Sequence, residues 1–148
     1  MDFHIIDKDD FDSLKHLFPG TDDKWNKYRD IRLNQLSDNK ICVFCIIVDS
    51  KIIGEITACY DSTNSKRIYL EAFRIDKSYQ GKGYGQALIN YVIEYFAEKG
   101  YIEFTIGVEE DNSVAKHIYF KLGFITPIAK GYGDEFDPCE YTVYLKTI

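Results

Sequence analysis

The run Gln80-Gly81-Lys82-Gly83-Tyr84-Gly85 constrains this chain more than any other stretch. It stands between an apolar, strand-like segment, residues 67–75 (RIYLEAFRI), and a strongly periodic helical one, residues 84–99. Glycines at alternate positions allow tight backbone turns and let a ligand approach the main chain closely. A helix N-terminus just beyond them presents unpaired N–H groups and a partial positive charge, so the segment reads as an anion cradle suited to phosphate. A dinucleotide fingerprint would need G-x-G-x-x-G with an acidic residue about 20 positions on, and a P-loop would need G-x-x-x-x-G-K-[ST]. Neither is present. A tight turn that merely uses glycine is the plainer explanation, and the strong helix that follows argues against it.

The flanking segments supply a sheet and helices for this loop to join. Residues 3–6 predict a short strand. Asp9 or Asp10 can cap a helix whose apolar positions Phe11, Leu14, Leu17 and Phe18 recur until Pro19-Gly20 stops it. A second helix over about residues 23–36 has Trp25, Tyr28, Ile31 and Leu36 as its apolar marks. Residues 41–49 and 52–60 predict a hairpin about Asp49-Ser50, and residues 61–66 a polar loop. In the helix at 84–99, Tyr84, Ala87, Leu88, Tyr91, Val92 and Tyr95 form a stripe that Ile89, Ile93 and Phe96 widen, which predicts burial against a sheet, with Gly100 at its end. Ile102, Phe104, Ile106 and Val108 alternate with Glu103, Thr105, Gly107 and Glu109 as a strand does. Asn112 can cap a short helix with Val114, Ala115, Ile118, Tyr119 and Leu122 inward and Gly123 at its end, before strands at 124–129 and 141–145. This order predicts one α/β domain over residues 1–148, a mixed sheet with helices on both faces.

With 148 residues, 45% of them hydrophobic, the chain can bury a core without disulfides or metals. Its 24 acidic against 18 basic side chains, net −6 with no basic cluster, argue against a nucleic-acid or anionic-membrane partner and favour a cationic one. Met1-Asp2-Phe3-His4 lacks the basic and apolar regions of a signal peptide, and no apolar run approaches the roughly 20 residues of a membrane span, so the expectation is a soluble cytoplasmic protein. Cys42-x-x-Cys45 has the spacing of a metal knuckle, yet it lies in ICVFCIIV, where residues three apart on a strand point to opposite faces. Cys42, Cys45, Cys59 and Cys139 therefore read as small buried apolar residues. His4, His16 and His117 have no metal spacing, and His117 is expected in solvent; no metal is expected.

Two motifs in order make the sequence resemble the GNAT superfamily of N-acetyltransferases. Gln80, Gly83 and Gly85 match its Q/R-x-x-G-x-G/A signature between a strand and a long helix. Asn112, Ala115, Tyr119, Leu122, Gly123 and Phe124 match its asparagine after the next strand and its tyrosine in a short helix ending in L-G-F. The resemblance implies a GNAT-like fold, a mostly antiparallel central sheet with splayed fourth and fifth strands, and acetyl-CoA as donor. It places the pyrophosphate on the amides of Gln80, Gly81, Lys82, Gly83, Tyr84, Gly85 and Gln86, with Lys82 as a nearby cation. It runs the pantetheine along the main chain of Phe73, Arg74 and Ile75, with Asn112, Ala115 and Tyr119 beside it.

The implied reaction is direct attack of a primary amine on the thioester in a ternary complex. An amine with a pKa near 10.4 arrives protonated and needs a base or a water relay. The resemblance assigns that role to Glu71, on the strand two residues before Phe73 and expected on the same face, with Glu109 second; a salt-bridged strand glutamate is the plain alternative for Glu71. Tyr119 holds the family's position for the acid that protonates the leaving thiolate, or for a hydrogen-bond donor to it. A backbone amide in residues 71–75 would meet the developing oxyanion, and no acyl-cysteine is needed. Residues 67–83 look like the polyamine and small-amine branch, and residues 133–140 (GDEFDPCE) carry Asp134, Glu135, Asp137 and Glu140 without a basic residue. The first acceptor expected is thus a polyamine-like cation, with aminoglycosides and peptide amines as alternatives. A non-catalytic acyl-CoA sensor or a nucleotide-binding module are the competing functions, and a homodimer is left open.

Overall fold

The computed structural model describes every residue except Asp134 and Asp137. Strands β1 (Asp2–Ile6), β2 (Ile41–Val48), β3 (Lys51–Tyr60), β4 (Arg67–Ile75), β5 (Glu103–Glu109), β6 (Thr126–Tyr132) and β7 (Glu140–Thr147) form one sheet in the order β1-β2-β3-β4-β5-β7-β6. Neighbours run antiparallel except β4 and β5, which are parallel. A parallel pair needs a crossover, and helix α2 (Tyr84–Ala97) supplies it. Helices α1 (Asp22–Ser37) and α3 (Ser113–Lys121) complete the frame. Among the described residues, no helix is long and apolar enough to cross a membrane.

The sheet is covered on both faces, which is why β2 is apolar throughout. Phe44 and Ile46 join the core under α2, where Leu88, Ile89, Val92, Ile93 and Phe96 form the buried stripe. Val43 and Cys45 join a second core with Phe11, Leu14, Trp25 and Tyr28. Cys42 packs on the first core and Cys45 in the second, so the two thiols point apart, and burial pushes both up to about 11.

Several local expectations need correction. Phe11–Leu17 is a 3-10 helix, in which residues three apart share a face, so Phe11 and Leu14 bury together; Asp10 precedes it without a side-chain cap. In α1 the side chain of Thr21 accepts from the Lys24 amide, and the buried stripe is Trp25, Tyr28 and Arg32. Ile31, expected inward, is 45% exposed, because it stands about 120° around the helix from Trp25 while Arg32 stands within about 20° of it. Val114 lies outward at 72% exposure in the first turn of α3, and Ile102 stays exposed ahead of β5. His117 is exposed, as expected.

The feature that shapes the site lies in β4. Its pairing with β5 runs from Arg67↔Glu103 to Leu70↔Ile106 and stops, although both strands continue. On its other edge the register steps from Thr57↔Glu71 to Glu55↔Arg74, leaving Ala72 and Phe73 opposite Ile56 alone. This is a β-bulge, with Ala72 in the left-handed region at φ 53°. The extra residue switches the parity of the strand. Ile68 and Leu70 face the α2 core before it, and Phe73 and Ile75 face that core after it. Glu71 and Arg74 go to the α1 side instead, so Glu71 does not share a face with Phe73 as expected.

A left-handed alanine carries a strain of about 1 kcal/mol that glycine lacks. Ala72→Gly should leave stability unchanged or raise it by about 1 kcal/mol, while the β-branched Ala72→Val should lower it by about 1–3 kcal/mol. Urea denaturation of the two variants checks this; equal losses from both would remove the bulge.

Candidate active site

On the α2 side, the loop after β4 is tied down by its own residues. The Gln80 Nε2 donates to the Ile75 carbonyl at 2.9 Å, so the signature glutamine pins the loop to the strand end. Asp76 accepts from the Ser78 amide at 3.0 Å and from Lys51 Nζ at 3.3 Å. Lys51 and Lys82 also lie over the Tyr79 ring, at 5.8 and 5.7 Å from its centroid. The β2–β3 hairpin brings Lys51 here from outside the motif, which only topology could have shown.

The three glycines have two different jobs. Gly81 and Gly83 have φ of 75° and 87°, and a Cβ on either would meet nothing within 4 Å, so the space above them is open. Gly83 is the N-cap of α2 and offers no side-chain cap, which leaves the amides of Tyr84, Gly85 and Gln86 for a ligand. At Gly85, by contrast, a Cβ would lie 2.8 Å from the Phe73 ring, so this glycine permits α2 to pack on the strand end.

Tyr119 lies beside this groove, against Phe73 at 6.2 Å and Phe124 at 6.3 Å. Burial alone pushes its phenol up to about 12, and its hydroxyl bonds to no described residue. Asn112 Oδ1 accepts from the Ala115 amide at 3.0 Å, which is the capping role weighed for it from sequence.

On the α1 side, the parting strands open a cavity of about 330 Å³ walled by Arg32, Tyr69, Glu71, Ala72 and Glu109, among others. Glu71 Oε1 accepts from Arg32 Nη1 at 2.9 Å and from the Cys59 thiol at 3.2 Å, and Arg32 Nη1 also donates to Gln35 at 3.0 Å. Arg74, expected with the donor groove, is turned by the bulge to this side: it donates to Glu55 at 3.4 Å and lies 5.5 Å from Phe18 and 5.4 Å from Tyr28. Burial, and then the Glu71 carboxylate, push the Cys59 thiol far up, so it stays protonated and is no nucleophile. Glu109 has no basic group within ion-pair distance among the described residues.

Gly133, Phe136 and Cys139 bring the acidic loop to the cavity wall. Its described carboxylates do not follow: Glu135 bridges Lys27 at 4.0 Å and Glu140 is exposed, while Asp134 and Asp137 lie outside the described residues. Sequence reasoning missed Tyr28, Arg32, Tyr69 and Tyr141 as cavity walls. The signal for Arg32 was present, since it falls seven residues after Trp25 and four after Tyr28 on one helical stripe. Among the described residues there is no group of three or more His, Cys, Asp or Glu that could hold a metal ion.

The family model described as the acetyltransferase (GNAT) family matches residues 8–124. The chain belongs to the GNAT family. Human N-acetyltransferase 8B is 27% identical over 112 residues, covering 68% of this chain, which spans about half, 49%, of that relative. An acetyltransferase of Yersinia pestis is 26% identical over 128 residues, covering 85% of this chain and 89% of its own. The structure of the PaiA N-acetyltransferase of Thermoplasma acidophilum in complex with coenzyme A superposes with a TM-score of 0.72 at 18% identity over all of both chains, a likeness of fold. GNAT acetyltransferases use acetyl-CoA. The open glycine cradle, the uncapped first turn of α2 and the two lysines at Tyr79 fit the phosphates of such a donor.

The α1 side of the sheet carries a pH signature at the partner of Arg74. Burial raises Glu55 to about 7, against the pull of Arg74 and Arg32. A carboxyl held above its unfolded value favours the fold while protonated, and that contribution is lost as pH rises from about 4.5 through about 7. Wild-type stability should therefore fall by on the order of 3 kcal/mol between pH 5 and 8 from this group, and Glu55→Gln should flatten the slope. Denaturation across that range checks it; the same slope in the variant would contradict it.

Proposed function

We propose that the chain transfers the acetyl group of acetyl-CoA to a primary amine that enters the cavity beside α1. One observation carries this reading: a single bulged strand end walls both sites. Phe73 and Ile75 face α2 and Tyr119, while Glu71, Ala72 and Arg74 wall the cavity. Bound acetyl-CoA supplies a thioester carbonyl activated toward amines. The amides of Gly81 to Gln86, with Lys82 and Lys51, hold its phosphates, and the β4 edge at Phe73 and Ile75, which has no strand beside it, binds its arm through the main chain.

The amine must lose a proton before it attacks. Glu109, with no cation beside it, takes that role here ahead of Glu71, whose carboxylate already accepts from Arg32 and Cys59 and so positions the cavity wall. Tyr119 stays protonated at neutral pH and donates a hydrogen bond to the leaving sulfur. Complete proton transfer to a thiolate of ordinary basicity, near 8.5, would leave a buried phenolate at a cost of about 5 kcal/mol. The polycation reading of the acceptor rests on the loop at 133–140, whose described carboxylates lie off the cavity. The walls hold two arginines, Arg32 and Arg74, as well as two glutamates, Glu71 and Glu109.

Gly83→Asp puts a negative side chain into the cradle and should weaken acetyl-CoA binding by at least about tenfold in calorimetry with the fold intact. Unchanged affinity would remove the cradle. Tyr119→Phe and Glu109→Gln should each lower kcat by about 10²-fold or more with donor affinity held within about twofold. Wild-type turnover in either variant would strip that residue of its role.

A further inference from the structure

We infer that the Tyr69 hydroxyl positions the acceptor amine, accepting a hydrogen bond from its N–H and aiming its nitrogen into the gap between β4 and β5. This deepens the acetyl-transfer reading above and rests on it. Tyr69 pairs with Thr105 across the parallel ladder, which ends one residue later at Leu70↔Ile106. Its side chain leans along the strand past that point: a Cβ on Gly107 would lie 3.2 Å from the Tyr69 hydroxyl and 3.0 Å from the Tyr141 ring. Glycine at 107 lets the hydroxyl lie over β5 just where the strands part. Glu71, two residues on along β4, and Glu109, two on from Gly107 along β5, wall the same cavity. The Tyr69 hydroxyl makes no hydrogen bond to a described residue and is not sealed from solvent, so it reaches the cavity that Tyr69 lines.

Burial, and then the Glu71 carboxylate, push the Tyr69 phenol far above its ordinary range, and Tyr141, Cys59 and Tyr119 add to that push. Tyr69 is therefore a neutral hydroxyl at working pH and not a base. Its oxygen accepts as well as donates. When the N–C bond forms, the carbonyl π pair moves onto oxygen and the nitrogen gains positive charge, so its N–H becomes a stronger donor. The bond to Tyr69 is then stronger in the transition state than with the neutral amine, and it lowers the barrier. One proton passes from nitrogen to Glu109, the C–S bond breaks with its pair on sulfur, and Tyr69 keeps its own proton throughout. The carboxylates leave this place open: Glu71 already accepts from Arg32 and Cys59, and Glu109 serves as the base. Two phenols then flank one gap, Tyr119 from the α2 side and Tyr69 from the α1 side.

The test offers butylamine, phenethylamine, spermidine, phenylalanine and a peptide with a free N-terminus as acetyl acceptors. With the amine that wild type acetylates best, Tyr69→Phe should lower kcat by at least about tenfold. KM for that amine and for acetyl-CoA should stay within about threefold, since water serves the N–H of the free amine as well as the hydroxyl serves the bound one. The thermal midpoint should not fall, because the ring still packs and the hydroxyl has no protein partner to lose. Wild-type kcat in Tyr69→Phe, or a loss of kcat matched by a loss of thermal stability or donor affinity, would overturn the inference while leaving acetyl transfer intact. If wild type acetylates none of these amines, the acetyl-transfer reading fails by itself. Crystals of the CoA-loaded protein grown with phenethylamine then decide this inference. An amine nitrogen within about 3.2 Å of the Tyr69 hydroxyl upholds it, and a nitrogen placed elsewhere, or no bound amine, overturns it.

Discussion

One extra residue in one strand organises this molecule. Without the bulge at Ala72, β4 would keep a period of two to its end, and Glu71 and Phe73 would share a face. With it, Phe73 and Ile75 turn to the α2 side, and Glu71 and Arg74 turn to the α1 side. The bulge sits where the parallel ladder with β5 has just ended at Leu70↔Ile106, so the strand end is free on that edge. A sheet that was a closed layer up to that point becomes a passage between two faces. Any chemistry joining a ligand held at the α2 N-terminus to one held beside α1 has to take place at this gap.

The two faces have different energetic character. The α2 side is built like an ordinary core, with Leu88, Ile89, Val92 and Phe96 fully or almost fully buried and Gly85 allowing the helix to sit directly on Phe73. The α1 side buries charge instead. Arg32 with Glu71 and Arg74 with Glu55 are partly or wholly removed from water, and such pairs recover through mutual attraction little more than their desolvation costs. A carboxyl raised to about 7 adds to that burden. Stability alone would favour apolar side chains there. Polar groups kept at such a cost, in a cavity beside the gap between β4 and β5, are what a site shaped for a polar ligand looks like.

Much of this was legible in the residues. The glycine loop, the stripe of the following helix, the Asn112 cap and the opposed faces of Cys42 and Cys45 all follow from local rules that tertiary contacts did not override. The bulge did not, because RIYLEAFRI alternates acceptably in either parity and only the register against Glu55 and Thr57 reveals the extra residue. The buried Arg32 was obscured by a hydrophobicity rule that favours Ile31, although helical angle alone places Arg32 beside Trp25. Lys51 reaches the loop through a hairpin, and the acidic loop reaches the cavity with its glycine and aromatic residues rather than its described carboxylates. Each of these depends on pairing between distant segments, which composition and spacing do not encode.

Amide hydrogen exchange, followed by mass spectrometry with and without saturating acetyl-CoA, tests most directly the claim that the bulged end of β4 and the glycine cradle form one donor groove. The structure predicts slowed exchange in two separated segments, residues 72–75 and residues 81–87, with β1 and β2 unchanged. Protection confined to the α1 side, or binding of acetyl-CoA with neither segment slowed, would contradict it.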